Sequence, residues 1–340
     1  MTEFTVLNVT DCNTLDCSIN YFNYFRNIVM KRFLILLALT CQISLFSQST
    51  VHPCATNEIN ASGNTHEQRQ QDVEWYKYFR QNHPEDMYLP SRNRLQRRSH
   101  PCDTPNLIIP IWVHVVHQNG VENISQAQIE HSVHLLNEQY GNHDANPSPA
   151  VNTGLLFYLA GVDRINSPLT DHNKNTETPN LMALNYRNQD SVVNIWIVKR
   201  ILTPSGVDSG TLGYSTYPWS KISNKYQGIV LRYDWFGHAN FGTHMNINSG
   251  GKTLAHEMGH YLGLYHPFDF GCIGLNSTDC YSQGDLCCDV PAVAFEYQGC
   301  SVPYNTCVET YNNNPADQKQ NYMDYSFDTC KNTFTADQTK

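Results

Sequence analysis

"TLAHEMGHYLGLYHPF", residues 253–268, sets three histidines and one glutamate into a short apolar run. On an α-helix, residues four apart share a face, so His256 and His260 project side by side. Glu257 sits one position round from the first of them. Gly263 follows at a place where a helix can end, because glycine accepts the left-handed conformation of a C-terminal cap. The chain can then turn back and bring His266 to the same point. Three neutral imidazoles around Zn2+ leave the fourth position open for a water, which is the arrangement of a catalytic site and not of a closed structural one. Glu257 is placed to take the proton of that water, and the scheme needs no covalent intermediate. The rival reading is an amphipathic core helix with incidental histidines. The string from 256 to 266 fixes three histidines, a glutamate and a glycine at once, which weighs against chance.

The rest of the chain fits an exported protein. Its 340 residues allow one large domain or two smaller ones, and only 16% are charged, against about 25% in an ordinary soluble chain. The net charge of −9 argues against a nucleic-acid binder. "MKRFLILLALTCQISLFSQS" starts at Met30 with Lys31 and Arg32, continues as an apolar run to Phe46 and closes on small polar residues. It reads as a secretory signal at 30–49, too short for the roughly 20 residues of a membrane span. Residues 1–29 carry no targeting logic and read as an upstream extension. The alternative is an internal core helix behind a leader. Once the signal is removed, no membrane association is expected.

Cysteine usage agrees with export. Of 12 cysteines, Cys12, Cys17 and Cys41 precede or lie in the signal, and seven of the other nine fall in the last quarter of the chain. In an exported protein this is a disulfide framework. Cys54 stands apart near the front. Setting it aside leaves eight, an even number.

Between 50 and 98 the sequence is polar, with one amphipathic stretch, "EQRQQDVEWYKYFRQ", and a basic cluster at Arg92, Arg94, Arg97 and Arg98. This segment reads as a propeptide. "NLIIPIWVHVVHQNG" then gives a strand closed by a turn at Asn119-Gly120, with His114 and His117 as ordinary strand residues. "SQAQIEHSVHLLNEQYG" is a helix capped by Ser125 and ended at Gly141; His131 and His134 are its surface or packing residues. Strands follow in "GLLFYLAGV", "SVVNIWIVKRI" and "QGIVLRYDWF", with "GTLGYSTYPW" between the last two. The fold class expected is α+β, a twisted mixed sheet with helices against it. The histidine helix falls within 250–266, and past Pro267 the chain is loop-rich and cysteine-rich.

"HEMGHYLGLYH" resembles the zinc signature of the metzincins, which also need a methionine turn downstream. "NYMDYSFDTCKNTFT" looks like that turn and would set Met323 beneath the metal. With "HPF" at the third ligand, the pairing is most similar to the pappalysin, or cytophagalysin, branch. The resemblance runs from about Leu107 to the end, and "IPIWVHVV" and "GTLGY" look like its first strand and its upper-rim edge strand. It implies a zincin-like catalytic domain at 99–340. An upper subdomain, 99–266, would carry the sheet and the active-site helix above the cleft. The lower subdomain, 267–340, would be irregular and disulfide-rich.

By position, the resemblance makes His256, His260 and His266 zinc ligands, Glu257 the general base and Tyr325 an oxyanion donor. It implies protein or peptide substrates bound by strand addition along Thr211–Tyr217. It also implies a preference for a basic residue after the scissile bond, with Asp324 and Asp328 as candidate pocket carboxylates. Such a preference would let the enzyme cut at its own arginine cluster; the alternative is a basic surface loop cut by another protease. Cys54 resembles a cysteine switch that closes the zinc in the zymogen, although Ala55 stands where the family has glycine. A Cys54–Cys102 disulfide is the alternative. Calcium is implied at Asp285 and Asp289, and bridges among Cys280, Cys300, Cys307 and Cys330. The chain ends at Lys340, where relatives continue into a helix. The reading is a secreted, monomeric zinc endopeptidase made as a zymogen. Its rivals are an inactive zinc-binding adhesin or inhibitor, and an exported structural protein with a plain histidine helix.

Overall fold

Val193–Val198, "VNIWIV", is buried at every position, which a strand covered on both faces requires. It is the middle strand, β4, of a five-stranded sheet. The computed structural model describes residues 53–56, 107–143, 150–223, 225–272, 280, 284–296, 298–300, 305–308 and 314–339. The expected leader, the basic cluster and Cys102 lie outside the described residues.

The strands are β1 (Leu107–His117), β2 (Leu155–Asn166), β4, β6 (Gly213–Ser215) and β7 (Ile229–Arg232). β1 runs parallel to β2 and β4, β4 runs parallel to β7, and β6 pairs antiparallel with β7. A separate pair, β3 (Asp171–Asn173) and β5 (Arg200–Leu202), is also parallel. The β1–β2 register slips between Ile111 and Trp112, so Trp112 faces Gly161. A side chain at Gly161 would meet the Trp112 ring at 2.5 Å.

Parallel neighbours need a crossover, and α1 (Gln126–Tyr140) supplies it between β1 and β2. Ser125 caps α1 by accepting from the Gln128 N–H at 3.1 Å. The helix stops at Gly141, as expected. Gly141 keeps a right-handed φ of −74°, and Asn142, at φ 57°, takes the left-handed turn. Asparagine tolerates that conformation better than most residues.

Alternation along the strands builds a core on each face. Ile111, Val113 and Val115 of β1, Ile195 and Ile197 of β4, and Ile229 and Leu231 of β7 pack with α1 and α3 (Thr253–Tyr261). Trp196, Val198 and Val230 face the other way, against Leu181 and Met182 of α2 (Thr178–Met182). After α3 the described chain is turns and loops up to a short 3-10 helix at Asp337–Thr339, tied by Cys272–Cys307, Cys280–Cys288 and Cys300–Cys330. Of the bridges the resemblance implied, only Cys300–Cys330 joins two members of the expected set. Among the described residues no helix is long and apolar enough to cross a membrane.

Candidate metal centre

Eight of the nine residues of α3, Thr253–His260, are buried, so this helix cannot turn its histidines to solvent. The helix gets no capping side chain from Lys252. Instead Asp328, far along the chain, accepts from the Gly250 and Lys252 N–H groups at 2.9 and 3.1 Å. A negative group at a helix N-terminus is favourable. At the other end Gly263, at φ 107°, lets Leu264 N–H return to the Gly259 carbonyl at 2.9 Å. That reversal brings His266 back to His256 and His260, as the glycine predicts.

The three imidazoles meet through Nε2. His260 Nε2 lies 3.2 Å from that of His256 and 3.0 Å from that of His266. Each Nδ1 faces an acceptor: the Tyr322 carbonyl at 2.8 Å, the Leu264 carbonyl at 2.7 Å and the Asp269 carboxylate at 3.1 Å. Those acceptors place the protons on Nδ1, so three Nε2 lone pairs point at one spot with no proton between them. A cation satisfies all three, and outer partners of this kind are what orient metal-bound histidines. Burial, then the neighbouring histidine, lowers the pKa of His256 and of His260, favouring the neutral rings a metal requires. The residues present therefore fit a zinc ion. Cys54 offers a fourth donor: its sulfur and the three ring nitrogens lie within 4.8 Å of one another.

Cys54 arrives on a segment that lines the open edge of the sheet. The Leu212 N–H donates to the Pro53 carbonyl at 2.8 Å, and the Ala55 N–H donates to the Gly213 carbonyl at 3.1 Å. The Cys54–Gly213 bridge is parallel, so Pro53–Thr56 extends β6 as an added strand. Gly213 suits this approach, since a Cβ there would sit 2.6 Å from Leu231 and 3.1 Å from Glu257. Cys54 is a free, buried thiol, which sets aside the disulfide with Cys102. Ala55 needs no left-handed backbone and is buried in the outer core, so the alanine is accommodated.

Glu257 is fully buried, and burial pushes its pKa up to about 8. Its Oε2 accepts from the Thr56 hydroxyl at 3.1 Å and from the Cys54 thiol at 3.6 Å, while Oε1 has no hydrogen-bond partner. Tyr325 stands over the histidines, its ring 4.8 Å from that of His266, and its hydroxyl donates to the Cys54 carbonyl at 2.8 Å. Met323 is buried beneath α3. A side chain at Gly259 would strike its sulfur at 2.3 Å, so that glycine is set by the methionine.

The candidate pocket acids are both engaged. Asp328 holds the start of α3, and Asp324 Oδ1 accepts from the Tyr325 N–H at 2.6 Å, with burial pushing its pKa up to about 6. Of the calcium candidates, Asp285 is buried with Oδ2 unpartnered, and burial raises its pKa. Asp289 accepts from the Thr335 hydroxyl at 2.6 Å and the Asp337 N–H at 2.9 Å, tying the lower segment to the last residues. His114, His117, His131 and His134 all lie outside the cluster. Sequence reasoning missed Thr56 and Asp269. A pattern cue existed for Asp269, three residues past the third ligand; Thr56 had none.

Comparison with known proteins agrees with this geometry. The family model Peptidase M43, described as pregnancy-associated plasma protein-A, matches residues 177–340. An extracellular metalloprotease of Pyricularia oryzae is 32% identical over 68% of this chain and 72% of its own length. One from Neurospora crassa is 30% identical over 68% of this chain and 71% of its length. Among solved structures, mature mirolysin of Tannerella forsythia, in complex with a cleaved peptide, is 28% identical. It has a TM-score of 0.56 and covers 69% of this chain and 89% of that one. A mutant of promirolysin from the same organism is 25% identical, with a TM-score of 0.61, covering 85% of this chain and 91% of that one.

Proposed function

This chain belongs to the pappalysin family of metzincin metalloproteases, and we propose that it is a secreted zinc endopeptidase whose metal sits on His256, His260 and His266. The observation that carries the proposal is the meeting of three imidazole Nε2 atoms beside a buried glutamate. Zinc bound there supplies a Lewis acid for the scissile carbonyl and lowers the pKa of a water to about 7. Glu257 takes the proton of the attacking water and returns it to the leaving amine. Tyr325 donates its hydroxyl to the oxygen that gains charge as the carbonyl is attacked. In the latent chain that hydroxyl already holds a carbonyl, that of Cys54. Once the segment leaves, the outer edge of β6 offers the same backbone groups to a substrate strand.

Latency follows from the same contacts. Cys54 completes the donor set and excludes a water, while Thr56 occupies the glutamate that would activate it. The similarity to promirolysin supports a zymogen. We assign 1–29 to an upstream extension, 30–49 to the signal, 50–98 to the propeptide and 99–340 to the catalytic domain, with the cleft dividing 99–266 from 267–340. Calcium is proposed at Asp285 and Asp289, and titration of the zinc-loaded protein with Ca2+ tests it. The preference for a basic residue needs an uncommitted pocket carboxylate, and Asp324 and Asp328 are both engaged.

The test is to incubate the parent and Glu257→Ala with zinc and a mixed peptide substrate, and to read new termini by mass spectrometry. The parent is expected to cut, a chelator to stop it, and the variant to lose about 100- to 10,000-fold in rate while keeping its zinc. Equal cutting by both would remove Glu257 from the mechanism. No cutting by an activated, zinc-loaded parent would leave an inactive metal binder.

A further inference from the structure

The turn that carries Met323 and Tyr325 continues to Lys331, whose side chain is 9% exposed. An ammonium has three donors, and a nearly buried one is costly unless oxygens meet them. Among the described residues, the Lys331 Nζ has one ion-pair partner, Asp328 Oδ1 at 3.9 Å, and makes no hydrogen bond. Asp328 cannot close that gap without leaving the helix start, since its Oδ2 holds the Gly250 and Lys252 N–H groups. The two nearby lysines are otherwise engaged: Lys252 lies over the Tyr322 ring at 5.5 Å, and Lys319 donates to the Cys300 carbonyl at 2.7 Å. Lys331 is also close enough for its charge to act on His256, Glu257 and Asp324. The methionine-turn segment therefore carries a nearly buried positive charge, held by one long ion pair, whose field reaches the reacting groups.

We infer that Lys331 is a specificity-determining residue, whose ammonium selects substrates with an acidic side chain next to the scissile bond and disfavours arginine or lysine there. The inference rests on reading this cleft as a peptidase site. It reverses the charge preference implied by the family resemblance, and it has a consequence for activation. The cluster at Arg92, Arg94, Arg97 and Arg98 becomes a poor substrate for this enzyme and a good one for a separate basic-specific protease. Two enzymes then act in sequence.

The test uses the full chain, opened by limited trypsin treatment and separated from its released leader. Three peptides are compared that differ only in the residues flanking one bond: glutamate, alanine or arginine. The wild type is expected to favour the glutamate peptide over the arginine peptide by about tenfold or more in kcat/KM, the scale of one well-placed charge. Lys331→Met keeps the length and the apolar stem; it should bring that ratio to within about threefold while still cutting the alanine peptide. A wild-type preference for arginine overturns the inference. So does an unchanged ratio in Lys331→Met. If no peptide is cut at all, the peptidase reading fails separately, and binding to Glu257→Ala decides the matter of Lys331. Tighter binding of the glutamate peptide, lost on adding Lys331→Met, supports it; equal affinities overturn it.

Discussion

Thr56 spans two systems with one hydroxyl: it accepts from the Ser215 N–H at 2.9 Å and donates to Glu257 Oε2 at 3.1 Å. Removing that hydroxyl leaves a buried carboxyl oxygen with only the Cys54 thiol at 3.6 Å as partner, which costs about 1–3 kcal/mol. The loss falls on the latent state alone, because Thr56 departs with the propeptide. Thr56→Val is therefore expected to raise the basal activity of the unprocessed chain by about tenfold and leave the processed enzyme unchanged, read by peptide hydrolysis before and after trypsin. No rise in basal activity would confine latency to Cys54. His172 makes a second prediction at this scale. It is buried, with Nε2 at 2.8 Å from the Tyr214 hydroxyl and Nδ1 unpartnered, and burial lowers its pKa to about 4 against the opposing charge of Asp171. As pH falls, the unfolded chain takes the proton first. The stability contributed by the neutral ring is thus full above about pH 6.5 and is lost between there and pH 4, by about 3 kcal/mol in total. Thermal unfolding across this range should flatten in His172→Gln relative to the parent; parallel curves would contradict the assignment. At the residue level, the convergence of His256, His260, His266, Glu257, Met323 and Tyr325 was legible because their spacing is tied to helix period and to one turn. Thr56 and Lys331 were not, because no local pattern announces a side chain that matters only through a contact some 75 to 200 positions away.

At the scale of elements, α3 depends on a partner that sequence cannot show. Helices usually carry their own cap, as α1 does with Ser125. α3 instead borrows Asp328, which links the methionine-turn segment to the helix that holds two of the histidines. Asp328→Ala leaves the Gly250 and Lys252 N–H groups without that acceptor, so a loss of about 1–3 kcal/mol is expected in urea unfolding of the zinc-free protein. A loss below half a kcal/mol would mean that water or another group serves the helix start. The strands were readable for a simple reason: β4 is apolar throughout and β1 is flanked by clear turn residues, one of which, Asn119, does take a positive φ of 63°. Sheet order was less so. Nothing in the sequence places β1 between β2 and β4, since that pairing is decided by crossovers and packing. The edge strand also came out shorter than expected, three residues within the seven from Thr211 to Tyr217.

At the scale of the whole molecule, the described residues combine a sheet-and-helix half, whose geometry comes from burial, with a later stretch held by disulfides. Pairing in that stretch was the least legible feature. Spacing along the chain does not give distance in space, so Cys280 meets Cys288 and Cys307 meets Cys272, where the family resemblance had suggested other partners. The histidine cluster joins these parts: α3, the turn under it and the Cys54 segment on the sheet edge all converge there. The account therefore stands or falls on the donors around that point. X-ray absorption at the zinc edge of the latent full chain measures them directly. Three nitrogen neighbours at about 2.0–2.1 Å and one sulfur at about 2.3 Å are expected, the sulfur vanishing in Cys54→Ala while the three nitrogens remain. A chain that folds but holds no zinc, or a zinc that keeps its full shell when His256, His260 and His266 are replaced, would contradict it.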